Sequence, residues 1–145
     1  MEKISENKKQ LMVAIVLVRN NEGKFFLQKR LDPLIPEANE KWEFPGGRIE
    51  YGENPEETAI REFREEVGCE IKIKKLIPLI QSSVWARSDN KEQQAIIICY
   101  EAEIISGVPS AQDRKVAEVG WFSRDELKSL DTLRGINKFI ALVND

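Results

Sequence analysis

The sequence contains no histidine, and this absence excludes several kinds of catalytic site. Without an imidazole there is no Ser-His or Cys-His pair and no zinc site with histidine ligands. Acid–base or metal chemistry must therefore use carboxylates, lysine, tyrosine or cysteine. The only two cysteines, Cys69 and Cys99, lack CxxC spacing, so we expect buried free thiols in a reducing cytosol rather than a structural disulfide.

Long apolar runs are also missing. The longest, residues 11–18 and 95–99, are too short to cross a bilayer, and the polar N-terminus has no apolar signal core. We therefore expect a cytoplasmic protein that does not bind membranes. With 22 basic and 25 acidic residues, the net charge of -3 argues against stable nucleic-acid binding. The length predicts a single domain over residues 1–145, with residues 1–9 as a polar tail.

Hydrophobic periodicity predicts a mixed sheet with a few helices. Residues 11–20 and 24–30 form a predicted β-hairpin around a turn at residues 20–23, followed by a loop over residues 31–41. Two long strand segments follow later, residues 70–85, bent near Pro78, and residues 93–105. A short strand at residues 116–122 precedes a helix capped by Ser123. A last helix runs through Ile136 and Phe139 to Val143.

The signals for a helix after Gly52 are the clearest in the chain. Asn54 suits the N-cap, Pro55 the first helical position, and Glu57 the third position after the cap. Gly68 suits a left-handed C-cap. An apolar stripe shows that the helix packs on a core, and it comprises Ala59, Ile60, Phe63 and Val67.

Three carboxylates lie together on another face of this helix. Glu62, Glu65 and Glu66 have i, i+3, i+4 spacing, which is either a solvated acidic face or a divalent-cation site. Glycines at positions 46, 47 and 52 allow close backbone approach, and Arg61 offers a guanidinium to Glu65 or Glu53. Hard oxygen ligands on a rigid helix suit magnesium, which would remove the repulsion between the glutamates.

Residues 47–69, GRIEYGENPEETAIREFREEVGC, resemble the Nudix box G-x5-E-x7-R-E-U-x-E-E-x-G-U, where U is a bulky aliphatic residue. Every fixed position agrees, and only Cys69 departs from the pattern, at a U position. The segments WEFPGGRIEYGE and AEVGWFSRDEL extend the likeness to MutT-type members of the family. The resemblance implies an α+β fold, the Nudix αβα sandwich with a mixed sheet between helices, and the family includes many homodimers.

The resemblance also implies roles for particular residues. Glu65 and Glu66 would bind Mg²⁺ or Mn²⁺, with the Gly46 carbonyl as a further ligand, and Glu62 would be a ligand or the base that activates water. Arg61 would orient Glu62, and Glu53 would support the metal site or pair with Arg61. A later acidic residue often contributes in this family, and the candidates are Glu92, Asp113 and especially Glu118. Each of the three also fits a surface position.

Substrate contacts are predicted less specifically. Lys29 and Arg30 match basic positions that reach phosphates in MutT-type proteins, although a solvated strand edge explains them equally well. Trp42, Phe44 and Trp85 are candidates for base stacking, against the alternative that they are core residues. Asn137 resembles an asparagine that reads a purine edge.

The expected activity is magnesium-dependent hydrolysis of a nucleoside diphosphate linked to another group. The proline typical of ADP-ribose pyrophosphatases and the tyrosine of dinucleoside polyphosphate hydrolases are absent from their usual places. This favours a nucleoside triphosphate pyrophosphatase, with oxidised dGTP as a candidate substrate. The alternatives are an ADP-ribose or sugar-nucleotide diphosphatase, a non-catalytic nucleotide-binding regulatory domain, and an enzyme of RNA 5′-end processing.

Overall fold

The structure is a computed structural model that describes residues 6–144. The strands are β1 (Lys8–Val18), β2 (Phe25–Arg30), β3 (Trp42–Glu43), β4 (Gly46–Arg48), β5 (Glu70–Leu76), β6 (Gln81–Ala86), β7 (Glu92–Ser106) and β8 (Val116–Phe122). The helices are α1 (Pro55–Val67), α2 (Arg124–Leu127) and α3 (Ile136–Ile140). Of the predicted tail, residues 1–5 lie outside the described residues, and β1 already begins at Lys8.

Two sheets organise the fold. The larger is mixed: β1 lies parallel to β7 and antiparallel to β4, and the other edge of β7 pairs antiparallel with β5 and β6. The smaller sheet is antiparallel, in the order β3-β2-β8. The predicted bend near Pro78 is confirmed, because the segment divides into β5 and β6 on either side of residues 77–80.

The predicted hairpin between the first two strands is wrong. Its turn is present, since Gly23 N donates to Asn20 O at 3.0 Å, but only an isolated Arg19–Phe25 bridge joins the two strands. Both edges of β1 are occupied by β4 and β7, so β2 pairs in the second sheet instead.

Helices cover both faces of β1, which gives the predicted αβα arrangement. Ala14 and Val16 pack in the core cluster that contains Phe63 of α1. Ile15 and Leu17 belong to the opposite cluster, which includes residues of α2 and α3. The last helix is shorter than predicted, because α3 ends at Ile140 rather than Val143.

Two further observations concern the predictions from composition. Cys69 and Cys99 are both buried and free, as expected. Within residues 6–144, no helix is both long enough and apolar enough to span a membrane.

Candidate active site

Helix α1 begins and ends at the predicted residues. The Asn54 side chain accepts a hydrogen bond from Glu56 N at 2.9 Å, and Pro55 occupies the first turn. Gly68 ends the helix in the left-handed region with φ 80°, and its amide donates to Arg64 O. Because Phe63 and Val67 are buried against the mixed sheet, the rotation of the helix about its axis is fixed. The carboxylates of the next face are thereby directed to β4.

The two adjacent glycines of β4 allow this face to approach the backbone. Gly46 N donates to Glu66 Oε1 at 2.9 Å. A Cβ atom added to Gly47 would lie 2.4 Å from the carboxyl carbon of Glu62, so the Glu62 carboxylate occupies the space beside this glycine. Two glutamates of α1 therefore meet one short strand.

Glu66 is the most buried of the three helix carboxylates. It is 8% exposed, and its second oxygen, Oε2, accepts a hydrogen bond from Gln28 Nε2 at 2.8 Å. Burial, followed by the nearby negative charge of Glu43, raises the pKa of Glu66 to about 8. Burial also raises the pKa of Glu62 and of Glu43. Burial in this pocket therefore favours the protonated forms of these carboxyl groups.

Arg61 connects the remaining acidic residues. Its Nε and Nη2 donate to the two oxygens of Glu53 at 2.7 and 3.0 Å. Its Nη1 donates to Glu62 Oε1 at 2.9 Å and to Glu65 Oε2 at 3.3 Å. Hydrogen bonds from Arg61 lower the pKa of Glu53 to about 2, so Glu53 stays charged at neutral pH. The guanidinium thus balances part of the negative charge of the helix face.

The described residues contain no group of three or more Asp, Glu, Cys or His side chains already arranged around a metal position. Arg61 engages Glu62 and Glu65, while Gly46 and Gln28 engage Glu66. The side chains nevertheless fit a hard divalent cation, because Glu62, Glu65 and Glu66 offer carboxylate oxygens from one helix face, and burial raises the pKa of Glu66 by disfavouring a charged form that a cation would stabilise. The carboxylates that could bind a metal are thus held by hydrogen bonds and ion pairs to other groups of the same chain in this conformation.

The predicted phosphate-binding cations, Lys29 and Arg30, lie at the C-terminal end of β2. Lys29 Nζ is 3.6 Å from Glu118 Oε2, so two predicted site residues form an ion pair. Arg30 donates to Asp32 and, at 3.2 Å, to Glu43 Oε1. Of the other two candidate acids, Glu92 begins β7 beside Lys8, and Asp113 accepts a hydrogen bond from Lys115 N.

The predicted base-stacking residues are mostly covered. Phe44 is 1% exposed and packs in the cluster with Leu17 and Phe139, so its ring has no free face. Trp85 is 5% exposed, and the guanidinium carbon of Arg134 lies 4.1 Å from its ring centre. Trp42 packs edge-on against Phe122. Asn137 is exposed on α3.

Three residues near the carboxylates were not predicted. Gln28 and Glu43 contact Glu66 or its partners, and the ammonium group of Lys115 acts to lower the pKa of Glu62. For Gln28 a signal was present: a glutamine within the apolar run FFLQ is an unusual residue at a buried strand position. Glu43 and Lys115 offer no such local signal, because only the pairing of β2 with β3 and β8 brings them to the site.

Comparison with known proteins identifies the family. The model of the NUDIX domain matches residues 8–143, and the chain belongs to this family. It is 45% identical over 60 residues to the 8-oxo-dGTP diphosphatase of Escherichia coli, which covers 41% of this chain and 45% of that protein. It is 31% identical over 114 residues to a putative 8-oxo-dGTP diphosphatase of Bacillus subtilis, covering 79% of this chain and 67% of that protein.

The chain spans about half the length of the E. coli and Proteus vulgaris 8-oxo-dGTP diphosphatases, 45% and 56%. Among solved structures, a MutT protein from Methanosarcina mazei Go1 superposes with a TM-score of 0.75 at 21% identity, over 95% of this chain and 96% of that one. This similarity confirms the predicted fold class.

Proposed function

We propose that this protein is a divalent-metal-dependent hydrolase that cleaves the diphosphate linkage of a nucleoside diphosphate joined to another group. The observation that carries the proposal is the contact of Glu62 and Glu66 with Gly46 and Gly47. Carboxylates that converge from one helix onto a glycine strand provide oxygen ligands for a hard cation. Membership of the NUDIX family supports the same conclusion.

Glu65, Glu66 and the Gly46 carbonyl would hold Mg²⁺ or Mn²⁺, with Glu62 as a further ligand or as the base. Such an ion acidifies water and neutralises charge that develops on phosphate oxygens. Glu62 would accept the proton of the attacking water, and Arg61 would hold Glu62 in position through the hydrogen bond at 2.9 Å. Glu53 keeps Arg61 in place by occupying two of its nitrogens.

For the substrate we propose a nucleoside triphosphate, with oxidised dGTP as the first candidate, giving a nucleoside monophosphate and pyrophosphate. The names of the E. coli and B. subtilis relatives support this choice. Lys29, Arg30, Trp85, Asn137 and Glu118 remain the proposed substrate contacts. Phe44 is better explained as a core residue, because its ring is enclosed. The free thiols of Cys69 and Cys99 support a cytoplasmic location.

The test is a hydrolysis screen with Mg²⁺ across canonical and oxidised nucleoside triphosphates, ADP-ribose, NADH and dinucleoside polyphosphates, with every product identified. We expect pyrophosphate and a nucleoside monophosphate. If the products are AMP and ribose phosphate, the substrate is ADP-ribose rather than a nucleoside triphosphate. If none of the compounds is hydrolysed, the proposal that the protein is an enzyme is contradicted.

Variants connect this activity to the helix. Glu66→Gln should lower turnover by about a hundredfold or more because a proposed metal ligand is lost. Glu57→Gln changes an exposed glutamate of the first turn of the same helix and serves as the matched control, with unchanged turnover expected. If Glu66→Gln is as active as Glu57→Gln, Glu66 is not a metal ligand of the site.

A further inference from the structure

Gln28 is a fully buried polar residue in the middle of β2. Its exposed fraction is 0%, as is that of its neighbour Leu27. Buried positions in a strand are normally filled by apolar side chains, so a polar side chain at such a position calls for a physical explanation.

The amide nitrogen of Gln28 explains part of this choice. Nε2 donates to Glu66 Oε2 at 2.8 Å and lies 3.3 Å from Glu43 Oε2. The orientation of the amide is determined by these partners, because a carboxylate accepts from nitrogen and not from the amide oxygen. One NH₂ group therefore lies between two carboxylates that would otherwise repel each other.

The amide oxygen of Gln28 is left without a partner. Oε1 is the one buried side-chain nitrogen or oxygen atom that has no hydrogen bond among the described residues. An unpaired buried acceptor costs free energy, and an apolar side chain of similar volume would avoid that cost. Packing alone therefore does not explain the glutamine, whereas the two hydrogen bonds of its nitrogen do.

The partners of Gln28 are themselves held in place. Arg30 Nη1 donates to Glu43 Oε1 at 3.2 Å, and Gly46 N donates to Glu66 Oε1 at 2.9 Å. The amide of Gln28 therefore joins β3 and α1 to β2. Glu66 has a hydrogen-bond donor on each oxygen, Gln28 on one and Gly46 N on the other.

We propose that Gln28 is a positioning residue that sets the orientation of the Glu66 carboxylate for a divalent cation. This proposal rests on the proposed function, since it requires Glu66 to be a metal ligand. Residues that hydrogen-bond a metal ligand orient it and increase its affinity, and their removal typically weakens metal binding by about 10- to 100-fold.

The experiment measures the Kd of Mn²⁺ alone by electron paramagnetic resonance of the free ion, without nucleotide. Gln28→Met retains the volume and removes the donor, and Leu27→Met changes the adjacent buried residue as the matched control. We expect Gln28→Met to weaken Mn²⁺ binding by about 10- to 100-fold. Leu27→Met should bind Mn²⁺ as the wild type does. Saturating metal should restore much of the kcat of Gln28→Met, because positioning affects the metal affinity first.

Two results would overturn the proposal in different ways. If the wild type binds Mn²⁺ and Gln28→Met binds it equally well, Gln28 has no positioning role, while the proposed function stands. If the wild type binds no Mn²⁺ with or without nucleotide and hydrolyses nothing, the proposed function fails and the role of Gln28 fails with it.

A measurement on the wild-type protein tests the proposal without requiring that a variant folds. The side-chain NH₂ resonances of Gln28 should shift when Mg²⁺ is added. Those of Gln94 should not, because its Nε2 donates to Ser82 Oγ at 2.8 Å in the β6–β7 pair. Unchanged Gln28 resonances in a protein that binds Mg²⁺ would contradict the proposal.

Discussion

Arg61 shows how one side chain organises the acidic helix face. Its planar guanidinium donates in two directions, to both oxygens of Glu53 and to Glu62 and Glu65. Lysine carries the same charge but has no fork, so it cannot hold both sets of acceptors at once. The function of Arg61 is therefore expected to depend on its shape as well as on its charge.

Arg61→Lys should reduce kcat/KM by about tenfold or more, because Glu62 loses its fixed donor. The loss of thermal stability should be small, since partly exposed ion pairs contribute little. Arg64→Lys is the matched control: Arg64 belongs to the same helix, is more exposed and pairs with Glu70 away from the carboxylate pocket. A melting temperature that falls much further in Arg61→Lys than in Arg64→Lys would instead make Arg61 structural.

At the scale of elements, the site depends on one capped helix and two glycines. Local signals predicted the helix, because Asn54, Pro55 and Gly68 act through their own backbone neighbourhood. The local signals of the helix predicted Arg61 as a partner of its carboxylates, but they did not predict the partners that other strands supply. Gln28 and Glu43 reach Glu66 only because β2 pairs with β3, and this pairing follows from the occupation of both edges of β1.

The same limit explains the errors of the sequence analysis. A hairpin was predicted because the turn at residues 20–23 has the right composition, yet strand pairing depends on which edges are available. The aromatic residues give a similar result. Phe44 lies in a strand-like segment whether it lines a site or a core, and only the packing of distant residues shows that its ring is enclosed.

Gly47→Ala tests the contact between strand and helix. The new methyl group would displace the Glu62 carboxylate, which is the flexible end of a side chain, so activity should fall by about a hundredfold with little loss of stability. Gly23→Ala gives the opposite pattern. Its φ of +76° is unfavourable for alanine by about 1–2 kcal/mol, but no atom lies within 4 Å of the added Cβ.

Gly23→Ala should therefore lower the melting temperature and leave kcat unchanged. Parallel measurements of kcat and thermal unfolding separate the two effects. If Gly47→Ala retained full activity, Glu62 would not need its present position, and the assignment of Glu62 would be wrong.

At the scale of the whole molecule, the carboxylate pocket should make stability depend on pH. The folded-state pKa of Glu66 is about 8, well above its ordinary value of 4.5. Between these pH values the folded protein holds a proton that the unfolded chain has released, so the free energy of unfolding falls as pH rises. Glu53 affects stability at lower pH. Because its pKa in the folded state is about 2, its contribution to the free energy of unfolding is lost as the pH falls from about 4.5 towards 2.

We therefore expect the melting temperature of the protein in EDTA to fall from pH 5 to pH 8.5, relative to that of Glu66→Gln. Magnesium should raise the melting temperature more at pH 8.5 than at pH 5, because a metal ligand must be deprotonated. If the melting temperatures of the wild type and Glu66→Gln change with pH in the same way, Glu66 does not retain a proton on folding.

The central claim is that the carboxylates of α1 act through a divalent cation. Phosphorus-31 NMR of a nucleoside triphosphate, first with EDTA-treated protein and then after addition of excess Mg²⁺, tests it directly. We expect an unchanged triphosphate spectrum in EDTA, followed by the resonances of a nucleoside monophosphate and pyrophosphate after Mg²⁺ is added. Hydrolysis at the same rate in EDTA would contradict it.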